Sequence, residues 1–185
     1  KASLLKDSRF NCVTYVLNLI RYLCLEPGPP CGVPLPLLYR LPSGRCTGAL
    51  RIDVPRLMEC WLTDFNKTRP IQRPAQAVAA YVRTHMVFVR IHPFFDGNGR
   101  MARLIANLPV LAAGFPPILV PMSRRGDYID LLWRYQNAVG LIGLGSRLLL
   151  PHPALRDFES LLLKEWQKST SLVEEARQLE MQRRS

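Results

Sequence analysis

A chain of 185 residues, 48% of them hydrophobic, can bury one sizeable core, and that length suits a single domain spanning 1–185. Its formal net charge of +11 points to an acidic partner: a nucleic acid, an anionic membrane surface or a small polyphosphate. The basic residues form no block or aromatic-interleaved stripe and no helix-turn-helix or zinc-finger spacing, which argues against nucleic acid, and apolar runs such as residues 15–20 fall well short of the ~20 residues a membrane span needs.

Taken in chain order, residues 8–25 put Val13, Val16, Leu17, Ile20 and Cys24 at helical spacing and predict a first helix. Six prolines and two glycines over 27–42 predict an irregular connection. Residues 37–40 and 50–52, flanking Ser43 and Gly44, predict a short β-hairpin. Asp53 as N-cap and Pro55 in the first turn open a helix carrying Leu57, Met58, Trp61, Leu62 and Phe65 on one face, ending near Asn66. Residues 75–91 align Val78, Tyr81, Val82, His85, Phe88 and Val89, a stripe on which His85 reads as a core histidine. A helix over 99–113 is expected to end at Gly114 before Pro116 and Pro117, with Pro109 bending or loosening it. Further helices are expected over 127–139 and 153–182, joined through the glycines of 140–145. The fold class expected is therefore all-α, a helical bundle with at most one small hairpin.

The five cysteines, Cys12, Cys24, Cys31, Cys46 and Cys60, include no CxxC pair. They imply free thiols, no zinc site and a reducing, cytoplasmic compartment, with delivery elsewhere after synthesis left open. The chain begins at Lys1 rather than Met, so a piece of a longer protein is expected.

The chemistry is concentrated between the helices of 75–91 and 99–113, in His92, Pro93, Phe94, Phe95, Asp96, Gly97, Asn98, Gly99, Arg100, Met101, Ala102 and Arg103. Gly97 and Gly99 allow successive N–H groups to converge on an anion at a helix start, where the dipole adds positive charge. Arg100 and Arg103, three apart, share a helix face and can reach one polyphosphate. Asp96 offers the single carboxylate that Mg²⁺ needs beside phosphate oxygens. His92, with an ordinary pKa near ~6.5, suits a base that accepts a hydroxyl proton at neutral pH.

This segment resembles the signature of the Fic (Fido) domain family at every fixed position. The resemblance extends to His85, Asn107 and Gly114-Phe115-Pro116, covering about residues 50–140. It implies a Fic-type helical bundle with a β-hairpin flap, sought over 37–52, that pairs with a target segment. It also implies a protein adenylyltransferase that uses Mg²⁺ and ATP to place AMP on a Ser, Thr or Tyr hydroxyl of a target protein and releases pyrophosphate. His92 would be the base and Asp96 the metal ligand. Asn98 with the Gly97 and Gly99 amides would hold the α- and β-phosphates, Arg100 the phosphate chain and Arg103 the γ-phosphate, and Asn137 would contact adenine. Relatives of the same architecture transfer UMP, phosphocholine or phosphate, and a non-catalytic nucleotide-binding adaptor is the reading from another class.

Some members of the family carry an inhibitory helix with Ser or Thr, three residues, Glu, then Gly or Asn. Ser171 and Glu175, within about 169–182, fit that spacing, with Ala176 in the Gly or Asn place. Two readings stay open there: Glu175 pairing with Arg103, or a solvated helix with inhibition left to an antitoxin-like partner.

Overall fold

The computed structural model describes residues 39–40, 46–50, 52–66, 70–94 and 96–184. The helix expected over 8–25 and most of the proline-rich connection lie outside these residues. Among the described residues, five α-helices follow a ribbon of two two-residue strands: α1 (Val54–Asn66), α2 (Pro74–Ile91), α3 (Asn98–Ala112), α4 (Arg125–Val139) and α5 (Pro153–Arg184), with a 3₁₀ turn at Met122–Arg124. Among the described residues, no helix is long and apolar enough to cross a membrane.

The ribbon pairs Tyr39–Arg40 (β1) antiparallel to Cys46–Thr47 (β2), with Tyr39 opposite Thr47 and Arg40 opposite Cys46. The first strand falls within the expected one, but the second does not. Leu50 belongs instead to a turn, its carbonyl accepting from Asp53 N at 2.9 Å. The chain has already left the ribbon at Gly48, whose φ of +91° turns it onto the end of α2, where Ala49 N donates to Ile91 O at 3.1 Å.

α2 is the central helix, with twelve of its residues buried, including Met86, Val87, Arg90 and Ile91 beyond the single stripe predicted. Its faces serve two cores. Ala77, Val78, Tyr81, Val82 and Met86 pack with Ala106 and Val110 of α3, Tyr128, Leu131 and Tyr135 of α4, and Phe158, Leu162 and Trp166 of α5. Val87, Phe88, Val89 and Ile91 pack instead with Leu57, Met58 and Trp61 of α1 and Ala102 and Ile105 of α3. Indole donors tie the layers: Trp61 Nε1 to Thr84 O at 3.2 Å and Trp166 Nε1 to Pro116 O at 3.0 Å. A helix flanked on so many sides is the most rigid platform the fold offers.

α3 runs through Pro109 and ends as expected. Gly114 takes φ +84°, its N–H reaches Leu111 O at 2.9 Å, and Phe115 N reaches Val110 O at 3.2 Å, the paired bonds of a Schellman turn. Asn107, on the same helix, holds the following loop down. Its Oδ1 accepts from Ile118 N at 2.7 Å and its Nδ2 donates to Ile118 O at 3.0 Å.

Candidate active site

α2 stops at His92, the one non-glycine with positive φ (+55°) among the described residues. Its N–H still donates to Phe88 O at 3.0 Å, and the left-handed turn brings the ring back over the last helical turn. There Nδ1 lies 3.3 Å from Val89 O. A carbonyl only accepts, so Nδ1 carries the proton and Nε2 is the basic nitrogen of the neutral ring. Burial lowers the His92 pKa below its ordinary value, opposed in part by the Val89 bond, and this keeps the imidazole neutral at neutral pH.

Gly48 packs directly against this turn. A Cβ built on it would lie 2.6 Å from His92 Cβ and 3.2 Å from Ile91 O, so hydrogen is all the space admits. Glycine here sets how closely the chain after the ribbon approaches the histidine.

The loop between α2 and α3 is held by Asn98. Its Oδ1 accepts from Phe94 N at 2.9 Å and its Nδ2 donates to Phe94 O at 2.7 Å, with the residue 3% exposed. The Asn98 side chain is therefore turned inward as a loop clamp. At the start of α3 its backbone N–H is one of those with no intrahelical carbonyl to meet. Gly97, at φ +81°, caps α3, and Gly97 and Gly99 lie beneath the two arginines: their Cβ positions fall 3.6 Å from Arg100 Nη2 and Arg103 Nη1. Arg100 Nη2 meets Asp96 Oδ2 at 3.1 Å, both side chains exposed, so that pair is weak and open to exchange.

These groups face a cleft of about 470 Å³. His92, Asp96, Gly97, Asn98, Gly99, Arg100 and Arg103 form one side, and Arg125, Tyr128, Ile129, Leu132, Trp133 and Gln136 of α4 form the other. The α4 contribution is a single helix face that grades from a cation through apolar and aromatic groups to an amide. A cleft of that size is large enough for a nucleotide-sized ligand, and its arginines would attract an anionic end.

The structure brings the motif residues together and leaves three predicted positions outside. Asn137 is exposed and does not line the cleft, because the helical period turns it away and brings Gln136 in, where Gln136 Nε2 donates to Val89 O at 3.3 Å. Ser171 and Glu175 also lie elsewhere. The buried contacts of α5 end at Trp166, both residues are exposed, and Ser171 Oγ bonds back to Gln167 O at 3.0 Å. No α5 residue lines the cleft, and Arg103 is engaged by Tyr128 at 3.4 Å rather than by a carboxylate. Sequence reasoning missed Gly48, Arg125, Tyr128 and Gln136. The last three carried a weak signal, a polar and aromatic periodicity along 125–136.

Part of the chain is similar to known proteins. The Fic/DOC family matches residues 46–110. The protein adenylyltransferase fic-1 of Caenorhabditis elegans is 43% identical over 70 residues, 37% of this chain and 12% of that protein. The protein adenylyltransferase Fic of Nematostella vectensis is 42% identical over 72 residues, 39% of this chain and 16% of that protein. The aligned segments thus span well under a fifth of those relatives' length. A crystal structure of a Fic-domain-containing signaling protein from Bacteroides thetaiotaomicron superimposes with a TM-score of 0.57 at 25% identity, covering 73% of this chain and 52% of that one.

Proposed function

We propose that this chain, whose residues 46–110 match the Fic/DOC family, is a protein adenylyltransferase, moving AMP from ATP to a hydroxyl side chain of a target protein. The observation that carries this is the meeting of His92 and the glycine-arginine start of α3 in one cleft, with the imidazole proton committed to Val89 O. A base with a defined acceptor nitrogen then stands beside an anion site.

The target hydroxyl loses its proton to His92 Nε2 as its oxygen bonds to the α-phosphorus, and the bond from that phosphorus to the pyrophosphate oxygen breaks. The Gly97–Gly99 amides and the α3 dipole hold the phosphates. Arg100 and Arg103 offset the charge that gathers on the leaving pyrophosphate. Orientation and charge neutralisation supply most of the acceleration, since the reacting bonds belong to the nucleotide and the target. Gln136 and Trp133 are placed for the base end of the nucleotide.

The described residues offer Mg²⁺ one carboxylate at the cleft, the exposed Asp96, and no cluster of three or more potential ligands. That donor set fits a magnesium ion that arrives with nucleotide phosphates and keeps its waters. When bound, the ion would screen the phosphate charge; Asp96, released from Arg100, would hold it. The segment before α1 that exposes Leu50 and Ile52 is where a target strand would dock.

The test is incubation with labelled ATP, Mg²⁺ and candidate protein targets, read by mass spectrometry of the modified residue. Addition of AMP supports the reading. Addition of phosphate would reassign the group transferred, parallel incubations with UTP and with a phosphocholine donor test UMP and phosphocholine, and no covalent label from any donor would leave a binding module. His92→Ala should lose about 10²–10⁴-fold in rate while still binding ATP.

A further inference from the structure

Behind Arg103 lies a series of contacts that phosphate binding alone does not require. The guanidinium carbon sits 5.6 Å from the centroid of the Tyr128 ring, and Nη1 donates to the Tyr128 hydroxyl at 3.4 Å. The same hydroxyl lies 2.9 Å from Nε2 of His85 on α2. His85 is fully buried, stacked on Tyr81 with ring planes 9° apart and edge-on to Tyr128.

The hydrogens can be assigned from donor and acceptor capacity. Arginine only donates, so the Tyr128 oxygen accepts from it, and the phenol proton is then directed to His85 Nε2. Burial favours the neutral form of both groups, raising the Tyr128 pKa and lowering that of His85. The His85 proton therefore sits on Nδ1, which has no hydrogen-bond partner among the described residues. A fully buried imidazole with one polar atom stranded is a costly way to fill a core, and an apolar ring would fill it without that loss. What histidine adds is an acceptor at one point, which turns the Tyr128 proton inward and its lone pairs toward Arg103.

We propose that His85 and Tyr128 are positioning residues for Arg103, a buried tether that fixes the direction in which the second arginine of the motif enters the cleft. The inference rests on the nucleotide reading above and deepens it. Through Arg103 the tether acts on the terminal phosphate of the bound nucleotide, not on the AMP portion.

Calorimetric titration with ATP and with AMP, in the presence of Mg²⁺, separates these parts. Tyr128→Phe keeps the ring and removes the oxygen. It should weaken ATP about tenfold or more and AMP less than about twofold, the scale of one lost hydrogen bond to a charged group. His85→Phe should reproduce that split, and His85→Gln, whose amide oxygen can accept from Tyr128, should recover most of the ATP affinity. If the parental chain binds ATP, but Tyr128→Phe weakens both nucleotides equally or neither, the tether is refuted and the nucleotide reading stands. A parental chain that binds neither nucleotide refutes both.

Discussion

Replacing Gly48 with alanine tests whether the approach of the ribbon segment to α2 sets the position of the base. Two costs arise. The backbone at φ +91° is a region that side chains rarely occupy, a strain of about 1–3 kcal/mol. The new Cβ would also lie 2.6 Å from His92 Cβ, about 1 Å inside normal contact, and forcing the two apart costs a further ~1–3 kcal/mol by the scale of overpacked cores. The sum, about 2–6 kcal/mol, leaves a domain folded over most of the usual stability range of about 5–15 kcal/mol, and rates are compared at a temperature where the variant is folded. The displaced group, however, is the base, and a misplacement near ~1 Å costs up to about 10²-fold in rate. Urea unfolding gives the stability loss, and the initial rate of labelling by ATP gives the functional one. Gly114→Ala is the control: its φ is +84° and nothing lies within 4 Å of the added Cβ, so it bears the backbone strain alone. Gly114→Ala should lose stability and keep the parental rate at a temperature where it is folded. Equal rates for the two variants would refute the idea that Gly48 positions His92.

Three further outcomes follow from the same geometry. Because burial lowers the His92 pKa below about 6.5, the neutral base is present at pH 7 and the transfer rate should fall only on acidification, with an acid midpoint below pH 6.5 in a rate–pH profile. His85 is pushed down to about 3 by burial and the nearby Arg103 charge. The folded state therefore binds fewer protons than the unfolded one, and stability is lost as pH falls from about 6.5 toward 3. Urea unfolding at pH 7.5 and 5 should show a loss of about 2 kcal/mol from this group, absent in His85→Gln. Truncation after residue 170 should leave both the labelling rate and the thermal midpoint close to parental, since the buried residues of α5 end at Trp166; a severalfold rise in rate would restore an inhibitory role for Glu175.

The legible parts of this protein were those in which cause and consequence lie close in sequence. The stretch from His92 to Arg103 could be read because a helix end, two glycines and two arginines one turn apart have their effects on one another. Helix limits followed from the same locality: Asp53 and Pro55 at the start of α1, and Gly114 at the end of α3. Gly48 could not be read this way. Nothing within several residues requires a glycine there, and the requirement comes from α2, more than forty positions along the chain. Asn98 was legible as a site residue but not in its manner of acting, since a side-chain amide suits a phosphate and a backbone clamp equally well. Asn137 failed by one residue, because a helical period fixes which positions share a face but not which face meets the cleft.

The physical link among these cases is the carboxyl end of α2. The last carbonyls of a helix lack intrahelical donors, and Val89 O accepts two bonds from outside the regular ladder, from His92 Nδ1 and from Gln136 Nε2, each at 3.3 Å. One acceptor thus orients the proposed base and docks the α4 face that closes the cleft opposite it. The histidine is held by strain as well as by bonds: its left-handed backbone is kept because Ala49 N bonds Ile91 O beside it and Gly48 leaves no room to relax. Moving the ring would disturb its packing against Gly48 and its bond to the α2 carbonyl that it shares with α4. The proposed chemistry is written in one loop, but its precision would be a property of the packed helix that precedes it, and that is why the motif alone suggests a reaction class without describing the geometry that would carry it out.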